Sequence, residues 1–365
     1  MWQSLFISLI FCLTFNKANA FTSSFQLELF SGFNISEGRT SGHEEITRQA
    51  INKTKEILKQ NESKVDIAKG GANLLKDLEF SKRGLIGALA KNPVIKGVYC
   101  SDFPDNAECP FSLAEFWFSS KNVDWHNGKN TQSLHFLRNY DDQNGLVSAK
   151  KACYEARERI TIATLTAVKE WQAGKINQAL FLIGHAAHII QDSFSHAHVK
   201  RDHFLNKFQI KDVCYYGDEK KSDLYVLGKE HMACFHPTLQ SSSFEEAVLG
   251  DSIWIRGDAQ LKNAKLYFRD EGVELCSMST NQYILEETKK LHCLNTEARL
   301  SRDATVKYFF LVATDLYRHR EIKYNQAELF KLSQTLKDHL FEGSMEIKGL
   351  VDRTSAGIAN CSQLK

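Results

Sequence analysis

From His185 to His198, fourteen positions hold four histidines and one aspartate in a mostly apolar stretch, Gly184-His185-Ala186-Ala187-His188-Ile189-Ile190-Gln191-Asp192-Ser193-Phe194-Ser195-His196-Ala197-His198. His188 and Asp192 are four residues apart. On an α-helix that spacing leaves about 40° between them, one turn along the same face. An imidazole and a carboxylate placed in this way can hold one metal ion together, and zinc is the common choice for such a donor set. His185 lies on the same stripe one turn earlier, and His198 falls just past the expected helix end. A lone buried histidine is usually structural, but several polar groups in one apolar helix are costly to bury without partners.

The elements that must position these groups read as helical nearly throughout. Ser41-Gly42-His43-Glu44 fits a capping box, and Ile46, Ala50, Ile51, Ile57 and Leu58 then recur at helical spacing. Ala149 to Trp171 is a long amphipathic run that Gly174 interrupts. Ile176 to about Phe194 follows, apolar on most sides and therefore expected to be buried. Ser301 to Arg320 and Gln326 to Phe341 are further helices. Lys91 to Gln143 and residues 199–245 read as less regular, with turns, aromatics and loops. No run of strands marks a separate β-domain, so the expected fold is all-α: many helices in a single domain around one core, with functional loops between them.

His188-x-x-x-Asp192-x-x-x-x-x-His198 resembles the HxxxDxxxxxH signature of the bacterial zinc-dependent phospholipase C and P1 nuclease superfamily. The resemblance extends upstream. Gly42-His43-Glu44-Glu45-Ile46-Thr47-Arg48-Gln49-Ala50 is similar to the first-helix histidine motif of that family, Gly97-Val98-Tyr99-Cys100-Ser101-Asp102-Phe103-Pro104 to its early-aspartate segment, and Leu134-His135-Phe136 to its HF histidine. These motifs cover roughly residues 40–200, in the family order. The family has an all-α catalytic domain carrying three zinc ions. Carried over to this chain, the resemblance implies one zinc between Asp102, His135, His188 and Asp192. It implies a second that shares Asp192 and adds His43 and the backbone amine and carbonyl of the mature N-terminal residue, Phe21. A third would take His198. The HxxxE pair that completes this third site in the family does not follow His198 here; His231, His236, Glu230 and Asp251 are the candidates, with His231 preferred. Asp105 is an alternative to Asp102, His126 to His135, and His196 to His198. Phe21 stands where the family usually has Trp, and the gap from Phe21 to His43 is longer than in the family.

The bulk composition is compatible with this chemistry. The 46 basic and 44 acidic residues nearly cancel, for a net charge of +2, which argues against a dedicated nucleic-acid binder. Leu5 to Phe15 are almost continuously apolar and Ala18-Asn19-Ala20 gives a small-x-small cleavage pattern. Residues 1–20 therefore read as a signal peptide, residues 21–365 as the zinc-dependent catalytic domain, and the protein as secreted. Eight cysteines remain after Cys12 leaves with the signal, an even number that suggests disulfides in an exported chain. Short-loop pairings are Cys100 with Cys109, Cys214 with Cys234, and Cys276 with Cys293.

The resulting expectation is an exported phosphodiesterase that hydrolyses phospholipids such as phosphatidylcholine to diacylglycerol and a phosphorylated head group, with a phospholipid surface as its partner. Zinc would neutralise charge on the phosphoryl oxygens and acidify water, and the resemblance makes Asp102 the base. Two other functions fit the same residues. A P1-like nuclease would use Phe116, Trp117 or Trp125 to stack bases. A non-catalytic, metal-stabilised binding protein would account for the missing HxxxE pair.

Overall fold

A computed structural model describes residues 42–60, 92–102, 109, 112–118, 130–141, 145–195, 198–201, 209–217, 235–237, 254–256, 290–294, 296–319, 322–343, 347 and 358–364. Residues 1–20, expected to be a signal peptide, lie outside the described residues, as do Phe21, Asp105, Trp125, His126, His196, Glu230, His231, Cys234, Asp251 and Cys276. Those described are mostly helical, with seven α-helices and little strand.

The centre of the fold is α5 (Ile176–Asp192), in which every residue from Ala179 to Asp192 is buried. It packs against α2 (Pro93–Asp102), α4 (Ala149–Gln172), α6 (Thr296–Arg318) and α1 (Gly42–Gln60). An apolar helix has no solvent-facing stripe to offer, so it is stable only when wrapped by neighbours in this way. In α1 the stripe Ile46, Ala50, Ile51, Ile57 and Leu58 is buried and faces α6 and α2. Ser148 caps α4 by accepting from the Lys151 amide at 3.2 Å, and Gly174, at φ +79°, turns the chain out of that helix and towards α5. Thr164 and Tyr308 share a buried hydrogen bond of 2.9 Å that ties α4 to α6.

Two helices form in the stretch expected to be irregular. α2 is started by Asn92, whose side chain accepts from the amides of Val94 at 2.9 Å and Ile95 at 3.3 Å, and Pro93 occupies the first helical position, where its missing N–H costs nothing. α3 spans Leu113–Phe118. The contact between α2 and α5 depends on two glycines. A Cβ on Gly97 would lie 2.0 Å from the Phe181 carbonyl oxygen, and one on Gly184 would lie 2.0 Å from that of Val94. The two backbones therefore meet directly, which brings the last turn of α2 against the middle of α5.

Helix boundaries elsewhere move modestly. α6 begins at Thr296, earlier than expected. The expected Gln326–Phe341 helix is α7 (Gln326–Thr335) followed by a π-helical turn over Leu336–Phe341. Among the described residues the strands form four two-stranded pairs: β1 (Tyr140–Asp141) with β2 (Gly145–Leu146), β3 (Val199–Arg201) with β4 (Ile210–Val213), β5 (Tyr215–Gly217) with β6 (Phe235–Pro237), and β7 (Trp254–Arg256) with β8 (Lys290–Leu294). Only the β5–β6 pair is parallel.

Cys100 and Cys109 are joined, as the short-loop pairing expected. Cys153 pairs with Cys361, 208 residues away, and fixes the C-terminal segment onto α4. Cys214 is also disulfide-bonded. Such bonds fit an oxidising compartment. No helix among the described residues is long and apolar enough to cross a membrane.

Candidate metal centre

Four elements converge on the end of α5. α1 brings His43, the last residue of α2 is Asp102, a 3₁₀ turn (Gln132–His135) ends on His135, and α5 supplies His188 and Asp192. His198 follows just before β3. All six side chains are at most 4% exposed.

The distances have the form of a coordination shell. His188 Nε2 lies 3.1 Å from Asp192 Oδ2, 3.4 Å from His135 Nδ1 and 3.5 Å from Asp102 Oδ1. His135 Nδ1 lies 3.3 Å from Asp192 Oδ2. Bonds of about 2.0–2.1 Å from zinc to nitrogen or oxygen give a tetrahedral ligand shell an edge of about 3.3–3.4 Å, close to all four separations. The other carboxylate oxygen, Asp192 Oδ1, lies 3.2 Å from His43 Nε2. Asp192 thus presents one oxygen to each of two ligand groups, the geometry of a bridging carboxylate. Asp102, His135 and His188 form one set of candidate ligand atoms within 4.8 Å of one another, and His43, His188 and Asp192 form another.

Electrostatics point to a cation as well. Asp102 and Asp192 are each the last residue of a helix, where the macrodipole disfavours an anion, and neither helix has a basic residue in its last turn. The Asp192 oxygens are approached by the imidazoles of His188 at 3.1 Å, His43 at 3.2 Å and His135 at 3.3 Å, in a fully buried setting. A fully buried carboxylate is costly unless it is paired or holds a metal.

The outer hydrogen bonds set the imidazole tautomers. The Gln191 amide N–H donates to Thr47 Oγ1 at 2.7 Å, so Gln191 Oε1 is left to accept from His43 Nδ1 at 2.8 Å. His43 Nε2 is then the nitrogen turned towards Asp192. His198 Nδ1 donates to the backbone carbonyl of His135, which places the proton of its neutral ring on Nδ1. That carbonyl is aimed by a left-handed Phe136, at φ 52° the one non-glycine residue with positive φ among those described. This conformation costs about 1–2 kcal/mol, and the burial of the Phe136 ring holds it in place.

Protonation favours metal uptake at most of these nitrogens. Burial, with His43 and His135 nearby, pushes His188 down to about 3 against the pull of Asp192. Burial likewise pushes His198 down to about 4. Burial alone would raise Asp192, but the imidazoles of His188, His198 and His135 outweigh it and hold the carboxyl well below its usual range. His43 differs: burial opposes its charge, yet the Asp192 and Asp102 carboxylates raise it to about 9. Near neutral pH the metal-free centre therefore holds neutral His188 and His198, an anionic Asp192 and a cationic His43. A metal entering at His43 must displace its proton. We expect uptake at pH 7 to release one proton at that position, and affinity there to rise about tenfold per pH unit up to about pH 9 and then level off. Titration calorimetry in buffers of different ionisation enthalpy measures this directly; zero proton release would remove His43 from the ligand set.

The structure brings His43, Asp102, His135, His188, Asp192 and His198 together. His198 stands beside the cluster, its hydrogen-bonded Nδ1 3.9 Å from Asp192 Oδ2, and is in neither set of candidate ligand atoms; the third metal position expected from the resemblance is not among those sets. His185, on the same stripe of α5, belongs to neither ligand set. Its Nδ1 is 2.7 Å from Ser101 Oγ and its Nε2 accepts from the Trp117 indole at 2.9 Å. Sequence reasoning passed over Gln191 and Thr47, although a glutamine in a mostly apolar helix beside an aspartate is a signal of a buried polar contact. Compared with known proteins, the chain matches no family model, no curated protein and no solved structure.

Proposed function

We propose that the chain is an exported, zinc-dependent phosphodiesterase, and that it acts as a phospholipase C on phospholipids such as phosphatidylcholine. The observation that carries this reading is the bridging placement of Asp192, with one oxygen 3.1 Å from His188 and the other 3.2 Å from His43. Asp102, His135, His188 and Asp192 would hold one ion, and His43 and Asp192 a second. The ions supply Lewis acidity, neutralising phosphoryl oxygens and acidifying water.

The chain's own residues supply the rest. A carboxylate oxygen of Asp102 takes the proton of the attacking water as its oxygen bonds to phosphorus. The bond from phosphorus to the glycerol oxygen breaks, and the leaving oxygen takes the proton that Asp102 received, giving diacylglycerol and the phosphorylated head group and returning Asp102 to the carboxylate. The apolar core around α5 keeps the dielectric low, so each charge in the centre acts more strongly than it would in water.

In the nuclease alternative, Trp117 would have one ring face at most for stacking a base. The Trp117 indole N–H is committed to His185, and the Arg159 guanidinium lies 4.8 Å over its ring.

Hydrolysis of short-chain phosphatidylcholine by the chain beginning at Phe21, with and without a chelator and with metal content measured alongside, tests the proposal. Zinc-dependent release of phosphocholine is expected. A metal-loaded protein that releases none would overturn the phospholipase reading, and a folded protein that takes up no metal would overturn the ligand assignment.

A further inference from the structure

Next to the metal centre runs a second buried polar chain whose every link has a forced direction. Indole is a donor only, so Trp117 Nε1 donates to His185 Nε2 at 2.9 Å. With Nε2 accepting, the proton of the neutral ring is on Nδ1, which donates to Ser101 Oγ at 2.7 Å. The Ser101 hydroxyl then donates to the Gly97 carbonyl at 2.9 Å. The chain joins α3, α5 and α2 and reaches α2 at Ser101, one residue before Asp102.

The place where it reaches α2 matters. At the C-terminus of α2 the helix's own carbonyls run out of amide partners, and a last turn held only by its own hydrogen bonds frays. The direct Gly97–Gly184 approach fixes how close α2 comes to α5, but contact at a glycine leaves the rotation of the final turn undefined. Ser101 supplies that constraint through its link to α5. The Cys100–Cys109 disulfide adds another on the preceding residue. His185 is three residues before His188, so the side chain that orients Asp102 and the side chain that faces it stand on one rigid helix face.

We propose that Trp117, His185 and Ser101 are positioning residues for Asp102, and that they set the affinity of the Asp102–His135–His188 metal position while leaving the His43–Asp192 position unaffected. The proposal rests on the reading of the cluster as a two-position zinc centre.

The test is zinc affinity, measured by competition with a chromophoric chelator, together with thermal unfolding of the metal-free protein. The variants are Ser101→Ala, His185→Phe and His185→Gln, with Ser101→Ala repeated in an Asp102→Ala background. Ser101→Ala and His185→Phe are expected to weaken one zinc position about 10- to 100-fold, the usual effect of losing an outer-shell partner, with the other position unchanged. His185→Gln should recover most of the loss, because its amide can accept from Trp117 and donate to Ser101. In the Asp102→Ala background, Ser101→Ala should cause no further loss. A lowered Tm with both zinc affinities intact would reduce the chain to a structural tie and overturn the proposal. So would an equal loss with and without Asp102. Should His185→Phe not fold, the small Ser101→Ala change still decides. A wild-type protein that binds no zinc would overturn the metal-centre reading itself, an outcome distinct from the other two.

Discussion

Asp192→Asn is expected to empty both metal positions and reduce phosphodiester hydrolysis by at least about 10³-fold, the scale associated with losing metal-assisted charge stabilisation. Asparagine has nearly the same shape, so the change isolates charge and ligand capacity. In the native chain the two Asp192 oxygens face His188 and His135 on one side and His43 on the other. An amide keeps one weak oxygen donor and places an N–H₂ group against the remaining imidazole, so it cannot bridge. The change also halves the formal negative charge of the candidate ligand set, from two carboxylates to one, with the loss at a fully buried position. Metal content of the purified variant, read beside circular dichroism, is the check. A folded variant that retains wild-type zinc would show that Asp192 does not bridge and would return it to the role of a helix-end carboxylate paired with His43.

The candidate metal centre was legible in the sequence by helical geometry for His188 and Asp192, which lie on one helix, and by the motif resemblance for His43, Asp102 and His135. The i, i+4 relation of His188 and Asp192 needs only helical geometry, and the buried apolar run around them says that the helix is central. His185 shows the limit of that reasoning. It shares the face, the residue type and the burial of His188, and only the positions of Ser101 and Trp117 distinguish a hydrogen-bonded histidine from a ligand. α2 was obscured for a related reason. Asn92-Pro93 is a good helix start, but Gly97 in a helix interior costs about 1 kcal/mol relative to alanine and lies among turn-forming residues. The helix persists because Gly97 is what permits the close approach to α5, a tertiary requirement that local propensity does not report. Disulfide pairing divides in the same way. Cys100–Cys109 closes a short loop, whereas Cys153–Cys361 depends on how α4 packs against the C-terminal segment.

Asp102→Asn separates chemistry from assembly. The carboxylate is 2% exposed at the end of α2, with Oδ1 3.5 Å from His188 Nε2. Removing its charge from a helix C-terminus relieves an unfavourable dipole interaction but also withdraws its support of the cationic His43, so the fold is expected to survive with little change in Tm in the metal-free state. The His43–Asp192 position keeps its own donors and should still bind zinc. Turnover should nevertheless fall by about 10²–10⁴-fold, the range for loss of a general base, because an amide cannot accept the proton of the attacking water. A ligand role alone predicts something different: activity lost at low zinc and restored when the metal is saturating. A rate that stays low across a zinc titration therefore assigns Asp102 to proton transfer, and a rate that recovers assigns it to metal binding only. Equal hydrolysis by wild type and variant at every zinc concentration would remove Asp102 from the mechanism. Asp105→Asn, the neighbouring alternative in the sequence, then becomes the variant in which the same loss must be sought.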